Sequence, residues 1–385
     1  MSKKLSLNVH PVAKPLYLSV QVFMEINAPK KTFIIILKLT FLVLMALIFF
    51  EGIASTISAT LNIHSQFRSV KVAEMAHTRF DPVLGWISIP NVDIKDLYGK
   101  NISLSTNNRG FRGNRDTFKL VETGKKRVIC SGDSFTLGYG VKDDETWCFL
   151  LELLNEDVES VNVGQGGYGI DQAYLWYKKD ASDLDRSLHV FALIGYDFLR
   201  TQKDHFRGVE KPTLAIKDGN LVFTNNTLKE KNYFVRLLHQ NGYLLQNFNM
   251  IRLLQGKLDS FLATDSTLTI KKSTLDVAMQ IFMELNAENE TRQSSFLVVF
   301  LPTPLDIFPN TFDTAREESK KILEHSNIAY LDLVEKLRQL DFDKSTRLFF
   351  EPNHFSYPHL NTEGNQWVAD IISEQLPDLL EVNGN

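Results

Sequence analysis

Val128-Ile129-Cys130-Ser131-Gly132-Asp133-Ser134-Phe135-Thr136 decides how the rest of the chain is read. Val128 to Cys130 is a short apolar run that reads as a buried parallel strand, and Gly132 breaks it into a turn leading towards a helical stretch. In an open α/β sheet, ligands bind in the crevice beyond the carboxyl ends of the strands, so a serine just past such an end is held up to solvent. Where a helix starts beside it, free N–H groups can hold a developing negative charge. A Gly-Asp-Ser tripeptide alone is more often an ordinary turn. The weight therefore falls on what else the chain brings to Ser134.

From residue 127 onward, strands and helices alternate, which points to a three-layer α/β/α, doubly wound parallel sheet of flavodoxin-like type. After Ser134 comes a helix stripe, Trp147, Leu150, Leu151 and Leu154. A second strand, Val161 to Val163, runs into Gly164-Gln165-Gly166-Gly167-Tyr168-Gly169 and a helix with Asp171 as its expected cap. His189 to Ile194 is the third strand, ending at Gly195-Tyr196-Asp197; Phe296 to Leu301 is the fourth, and Ile328 to Leu331 the last. A final loop from Phe349 carries His354 and His359 and leads into a helix with Trp367, Val368, Ile371 and Ile372 on one side. Between 199 and 273 lies an insertion too long for a structureless loop. Its first part reads as a hairpin turning at Asp218-Gly219, its second as a helical, apolar segment around Phe234 to Leu254.

The amino-terminal side divides differently. Residues 1–31 carry Lys3, Lys4, Lys14, Lys30 and Lys31 against Glu25, and Phe33 to Phe50 is apolar except for Lys38 and Thr40. Eighteen residues make about 27 Å of helix, close to a bilayer core. The long polar leader and the absence of a small-residue cleavage site after Phe50 favour an uncleaved anchor over residues 32–54. The lysine excess predicts a cytoplasmic amino end and an exported domain, periplasmic or extracellular. Residues 55–126 read as a tether followed by extended segments, Phe80 to Trp86 and Ser105 to Gly113, wrapped on the main domain at 127–385. Arg109 and Arg112 are expected in a solvated turn.

A net charge of −4 with no block of like charge gives no reason to expect nucleic acid as a partner. Cys130 and Cys148 exclude a disulfide framework. One bond between them is feasible, and buried free thiols are the simpler expectation. No metal-ligand spacing or phosphate-cradling loop stands out, so no cofactor is expected.

A serine hydroxyl becomes a useful nucleophile when an adjacent base takes its proton, and histidine is suited to that exchange near neutral pH. In a doubly wound sheet, the loops after the first and last strands open at the same edge, so Ser134 can meet a histidine of the final loop. Ser134 N–H and the glycine turn at 166–167 can supply oxyanion donors.

Gly132-Asp133-Ser134-Phe135-Thr136, Asn162 to Gly169 and His359-Leu360-Asn361-Thr362-Glu363-Gly364 resemble the first, second and last blocks of the SGNH, or GDSL-type, hydrolase superfamily. The resemblance implies Ser134 as nucleophile, Gly167 as an oxyanion-hole amide and His359 as base. Two positions depart from it. Gly195-Tyr196-Asp197 lacks the asparagine that completes the family's oxyanion hole, and Ser356 stands where the family places an acid behind the histidine, with Glu351 the nearest carboxylate in the loop. The whole chain is similar in outline to membrane-anchored SGNH proteins of bacterial envelope polysaccharide systems, such as the alginate O-acetylation proteins. That implies acyl chemistry on a glycan or an acylated small molecule, through an acyl-Ser134 intermediate passed to water or a sugar, with a membrane acyl-donor protein as a partner. A glycan-binding or assembly protein that keeps the fold is the alternative.

Overall fold

The computed structural model describes residues 30–68, 76–206, 209–225, 228 and 269–381. The expected helical segment around Phe234 to Leu254 and residues 1–29 lie outside the described residues.

Two compact units divide at Ile53 and Ala54. In the first, a helix begins at Lys30 and runs on to Arg68, longer than the apolar run alone requires. Its stretch Thr32–Ile53, 22 residues with a mean hydropathy of 2.9, is long and apolar enough to cross a bilayer.

The second unit is built on five parallel strands: β1 (Lys126–Gly132), β2 (Val158–Gly164), β3 (Leu188–Leu193), β4 (Ser295–Phe300) and β5 (Ala329–Asp332). They lie side by side in the order β5-β4-β3-β1-β2, the flavodoxin-like arrangement read from the other edge. Side chains alternate across the sheet. Ile129, Phe191, Val298 and Phe300 face one core with Trp176, Ala278 and Phe282. Val128, Cys130, Val190, Ala192 and Val299 face the other, with Trp147, Leu151, Leu337 and Val368. Burial on both faces explains why these strands read as continuous apolar runs.

The chain leaves β1 for β2 at one edge and returns to β3 on the other side of β1, so the carboxyl ends of β1 and β3 flank the point where the winding reverses. Ligands bind at such points in open α/β sheets. Gly132 ends β1 there. A Cβ on it would stand 2.3 Å from Thr136 Oγ1 and 2.4 Å from the carbonyl oxygen of Ala192, so no larger residue fits.

Several local expectations are corrected. Cys130 and Cys148 are not free thiols but a disulfide, which ties β1 to the helix Trp147–Leu154. The strand's Cys130 and the helix's Cys148 face one core, which brings their Cα atoms to 6.1 Å, within bonding range. Asp171 does not cap the helix Ile170–Trp176; Gly169 does. Asp171 instead forms a fully buried ion pair with Lys211 at 2.6 Å. Lys211 Nζ also donates to the carbonyls of Lys203 and Pro212, so the pair anchors the start of the insertion. Beyond it, Leu214–Lys217 and Asn220–Phe223 form the expected hairpin, with positive φ at both Asp218 and Gly219. Arg112 is buried rather than solvated. It pairs with Asp143, donates to the carbonyl of Val141 at 2.8 Å, and its main chain bridges to Asn162. Arg109 is held by Asp183 through two hydrogen bonds.

Candidate active site

Ser134 opens a one-turn helix, Ser134–Leu137, immediately after β1. Asp133 caps it. Its Oδ1 accepts from the N–H of Phe135 at 2.9 Å, which satisfies one of the donors a helix start leaves open. Asn162, on β2, donates to the carbonyl of Thr136 at 2.7 Å and locks the turn against the neighbouring strand. Ser134 itself is 4% exposed.

The final loop delivers its histidine from the opposite side. Asn361 caps the helix Thr362–Ser373 through the N–H of Gly364 and donates to the carbonyls of Arg347 and Phe349, so the segment before it has a fixed path. His359 packs its ring on Tyr139, with centroids 4.7 Å apart, and against Phe135 at 4.8 Å. Its Nε2 lies 2.8 Å from Ser134 Oγ. Its Nδ1 lies 2.6 Å from the carbonyl oxygen of Ser356. A carbonyl can only accept, so Nδ1 carries the proton and Nε2 presents its lone pair to the serine hydroxyl. The pair is therefore set to move a proton from Oγ to Nε2 as Oγ attacks an electrophilic carbon.

His354 is not part of this contact. It is stacked between Phe350 and Phe355, and its Nδ1 accepts from the N–H of Ser356 at 3.1 Å. Burial lowers its pKa below the ordinary value, in keeping with a neutral ring that braces the turn. Glu351 is exposed, and its carbonyl, not its carboxylate, meets the N–H of His354. The support behind His359 is thus main chain. Ser356 supplies it through the one group that every residue type shares.

Gly167 sits in the turn after β2 with φ +77, a conformation that favours glycine. A Cβ there would meet the Phe206 ring at 2.4 Å, so the insertion closes over this turn. Among the described residues, the N–H groups of Ser134 and Gly167 have no hydrogen-bond acceptor. Tyr196, at the position of the absent asparagine, packs its ring on Phe312 at 4.8 Å. It brings no donor towards the serine that the structure records.

The residue not anticipated from sequence is Arg200. From the helix Gly195–Thr201 its Nη1 reaches Asp133 Oδ2 at 2.8 Å, Asp197 Oδ1 at 2.7 Å and the carbonyl of Tyr168 at 3.2 Å. Asp197 in turn accepts from the N–H of Ile194 at the end of β3. Burial pushes the carboxyl of Asp197 well up, and the charge of Asp133 adds to that, while Arg200 opposes it. Burial also raises Asp133 against the pull of the same guanidinium. For Arg200, burial acts to lower the pKa and the two carboxylates outweigh it, so the cation is secure. The sequence signal was a basic residue three places after Asp197, just past a buried strand, but its reach to Asp133 depends on β1 and β3 being neighbours.

No family model and no curated protein sequence matches the chain. Solved structures do. A member of the lipolytic protein G-D-S-L family from Veillonella parvula is 13% identical, with a TM-score of 0.39 over 66% of this chain and 100% of its own. An acetyl xylan esterase, AlAXEase, is 14% identical, with a TM-score of 0.38 over 65% of this chain and 99% of its own. The lipase/acylhydrolase from Enterococcus faecalis is 10% identical, with a TM-score of 0.37 over 66% of this chain and 96% of its own. The functional reading rests on the site itself.

Proposed function

We propose that the chain is a serine-dependent O-acyl esterase or O-acyltransferase that works through an acyl-Ser134 intermediate. The observation that carries this reading is the 2.8 Å contact of His359 Nε2 with Ser134 Oγ, made by an imidazole whose other nitrogen is held by the Ser356 carbonyl. In the proposed cycle Oγ bonds to the ester carbon, its proton passes to Nε2, and the carbonyl electron pair moves onto oxygen. Collapse of that intermediate breaks the ester C–O bond, and the leaving alkoxide takes the proton from Nε2. Water or a sugar hydroxyl then repeats the sequence on the acyl-serine. The N–H groups of Ser134 and Gly167 hold the oxyanion.

Acetyl is the proposed acyl group, in line with the outline the sequence shares with O-acetylation proteins. A glycan is the proposed acceptor or substrate, served by a membrane acyl-donor protein, in line with the outline the sequence shares with envelope polysaccharide proteins. The Thr32–Ile53 helix anchors the chain, with the domain on the outer face. The lysine-rich amino end and the Cys130–Cys148 bond, at home in an oxidising compartment, both support that orientation.

Full-length protein in detergent should release p-nitrophenol from p-nitrophenyl acetate, and Ser134→Ala should abolish the release. Turnover surviving in Ser134→Ala would sink the reading. Adding an oligosaccharide to the same assay separates transfer from hydrolysis by whether acetylated sugar accumulates.

A further inference from the structure

Arg200 does more than neutralise buried carboxylates. Its Nη1 is spent on Asp133, Asp197 and Tyr168, yet among the described residues Nε and Nη2 have no hydrogen-bond partner, and the side chain is 18% exposed. A guanidinium has five N–H donors, so part of its capacity faces outward unused.

Its location gives that capacity a target. Asp133 precedes Ser134 and Tyr168 follows Gly167, so one nitrogen bridges the neighbours of the two residues that offer oxyanion amides. Asp133 Oδ2, which accepts from Nη1 at 2.8 Å, is 3.5 Å from Ser134 Oγ, which puts the guanidinium within two such contacts of the hydroxyl. Tyr196 and Arg200 are four residues apart on one helix and so share a face. Position 196 turns its ring to Phe312, and position 200 is the one that reaches the serine side. Phe206 lies over the guanidinium at 5.6 Å and also against Gly167, which shields the cation from water on that face.

We infer that Arg200 is a catalytic residue of the Ser134 site, its free N–H groups and charge holding the oxygen that becomes negative when Ser134 attacks an ester carbonyl. This rests on the esterase reading above. The guanidinium acts as a third, charged donor beside the amides of Ser134 and Gly167. A preorganised cation in a water-poor site costs no reorganisation as charge develops.

The test uses Arg200→Lys and Arg200→Met in the full-length chain, with p-nitrophenyl acetate kinetics, thermal melting and the affinity of an arylboronic acid, which adds to a serine as a tetrahedral anion. Arg200→Lys keeps a charge between Asp133 and Asp197 and is the variant expected to fold. It should lower kcat by at least tenfold with KM little changed, and Arg200→Met by about 10²–10³-fold. Boronate affinity should fall in parallel with kcat/KM. Millimolar guanidinium should restore part of the Arg200→Met activity. A folded Arg200→Lys or Arg200→Met that keeps kcat and boronate affinity within threefold of the parent overturns the role, as does activity that falls only in step with the melting temperature. A parent chain that neither turns over the ester nor binds the boronate overturns the esterase reading itself, which the variants do not.

Discussion

The carbonyl oxygen of Ser356 stands 2.6 Å from Nδ1 of His359, and that contact orients the imidazole towards Ser134. A main-chain acceptor fixes the tautomer as a carboxylate would, but it adds no negative charge to stabilise an imidazolium. Ser356 is fully buried against Gly140, where an added Cβ would stand 2.3 Å from its Oγ. His359→Gln should therefore lower ester turnover by about 10²–10⁴-fold. Glu351→Gln should leave it within about twofold, because that carboxylate is exposed and unconnected to the ring. Steady-state kinetics on both variants distinguishes this dyad from a triad using Glu351. A large loss in Glu351→Gln would show the dyad to be wrong.

Gly167 and Phe206 form a second testable pair. Gly167→Ala puts a side chain at φ +77 and drives its methyl into the Phe206 ring. The backbone part costs roughly 1–2 kcal/mol whatever the neighbours do. The steric part disappears when Phe206 is removed. Gly167→Ala should thus destabilise the wild-type background more than the Phe206→Ala background, so in a double-mutant cycle on melting free energies the double variant should lose less stability than the sum of the two single losses. Equal costs in both backgrounds would mean the ring does not press on this turn.

The disulfide closes a loop of 18 residues between β1 and the helix Trp147–Leu154. A loop of that size confers about 3 kcal/mol, mainly by restricting the unfolded chain. Both sulfur-bearing side chains are fully buried, so reductant reaches them only through opening of the core. Dithiothreitol should lower the melting temperature slowly and only after preincubation near the transition. The Cys130→Ala/Cys148→Ala pair should show the loss at once.

Much of this is legible in the sequence. Strands β1 to β4 are buried on both faces almost throughout, which leaves an apolar signature that little solvent-facing alternation blurs, whereas the edge strand β5 is half-exposed. Ser134 and His359 could be named because each sits at a break that sequence marks, a strand running into Gly132 and a loop running into the Asn361 cap. What stayed hidden depends on neighbours far apart in the chain. The Ser356 carbonyl is invisible to sequence because its chemistry does not depend on its side chain. Arg200 and Arg112 read as ordinary basic residues until β3 lies beside β1 and β2 meets the wrapping segment. The cysteine pairing failed for the same reason, since it turns on which face of β1 the helix Trp147–Leu154 covers.

The buried pair Asp171–Lys211 fastens the insertion to the helix after β2, with neither side chain exposed. Asp171→Asn removes one charge and leaves the other stranded, which costs about 3–5 kcal/mol in such pairs. Replacing both, as Asp171→Leu with Lys211→Met, should recover most of that loss, because each buried ion carries a large desolvation penalty that the apolar pair avoids. Chemical denaturation of the three proteins checks this. A double variant as unstable as Asp171→Asn would show that the carbonyls of Lys203 and Pro212, left without Nζ, are what the pair exists to satisfy.

His189 makes a contribution to the pH dependence of stability whose sign follows from its burial. Fully buried in β3, it meets Ser131 Oγ at 2.6 Å through Nε2 and stacks on Tyr177 with centroids 4.0 Å apart. Burial first, and then the charge of Arg186, hold its pKa well below the ordinary value of 6.5. The folded ring therefore stays neutral where the unfolded ring takes up a proton. In that range the unfolded state binds more protons, so stability rises with pH up to about 6.5 and is lost as pH falls below it. The limiting slope for one such group is about 1.4 kcal/mol per pH unit. Asp133 and Asp197 act in the opposite sense, since their raised carboxyls lose stability as pH rises above the usual carboxylate value of 3.8. His189→Gln removes only the first contribution. It should be less stable than the parent at pH 8, where the Ser131 contact and the Tyr177 stack are lost, and the gap should narrow between pH 6.5 and pH 5. Melting curves across that interval decide it, and a gap that stays constant would place the titration on another group.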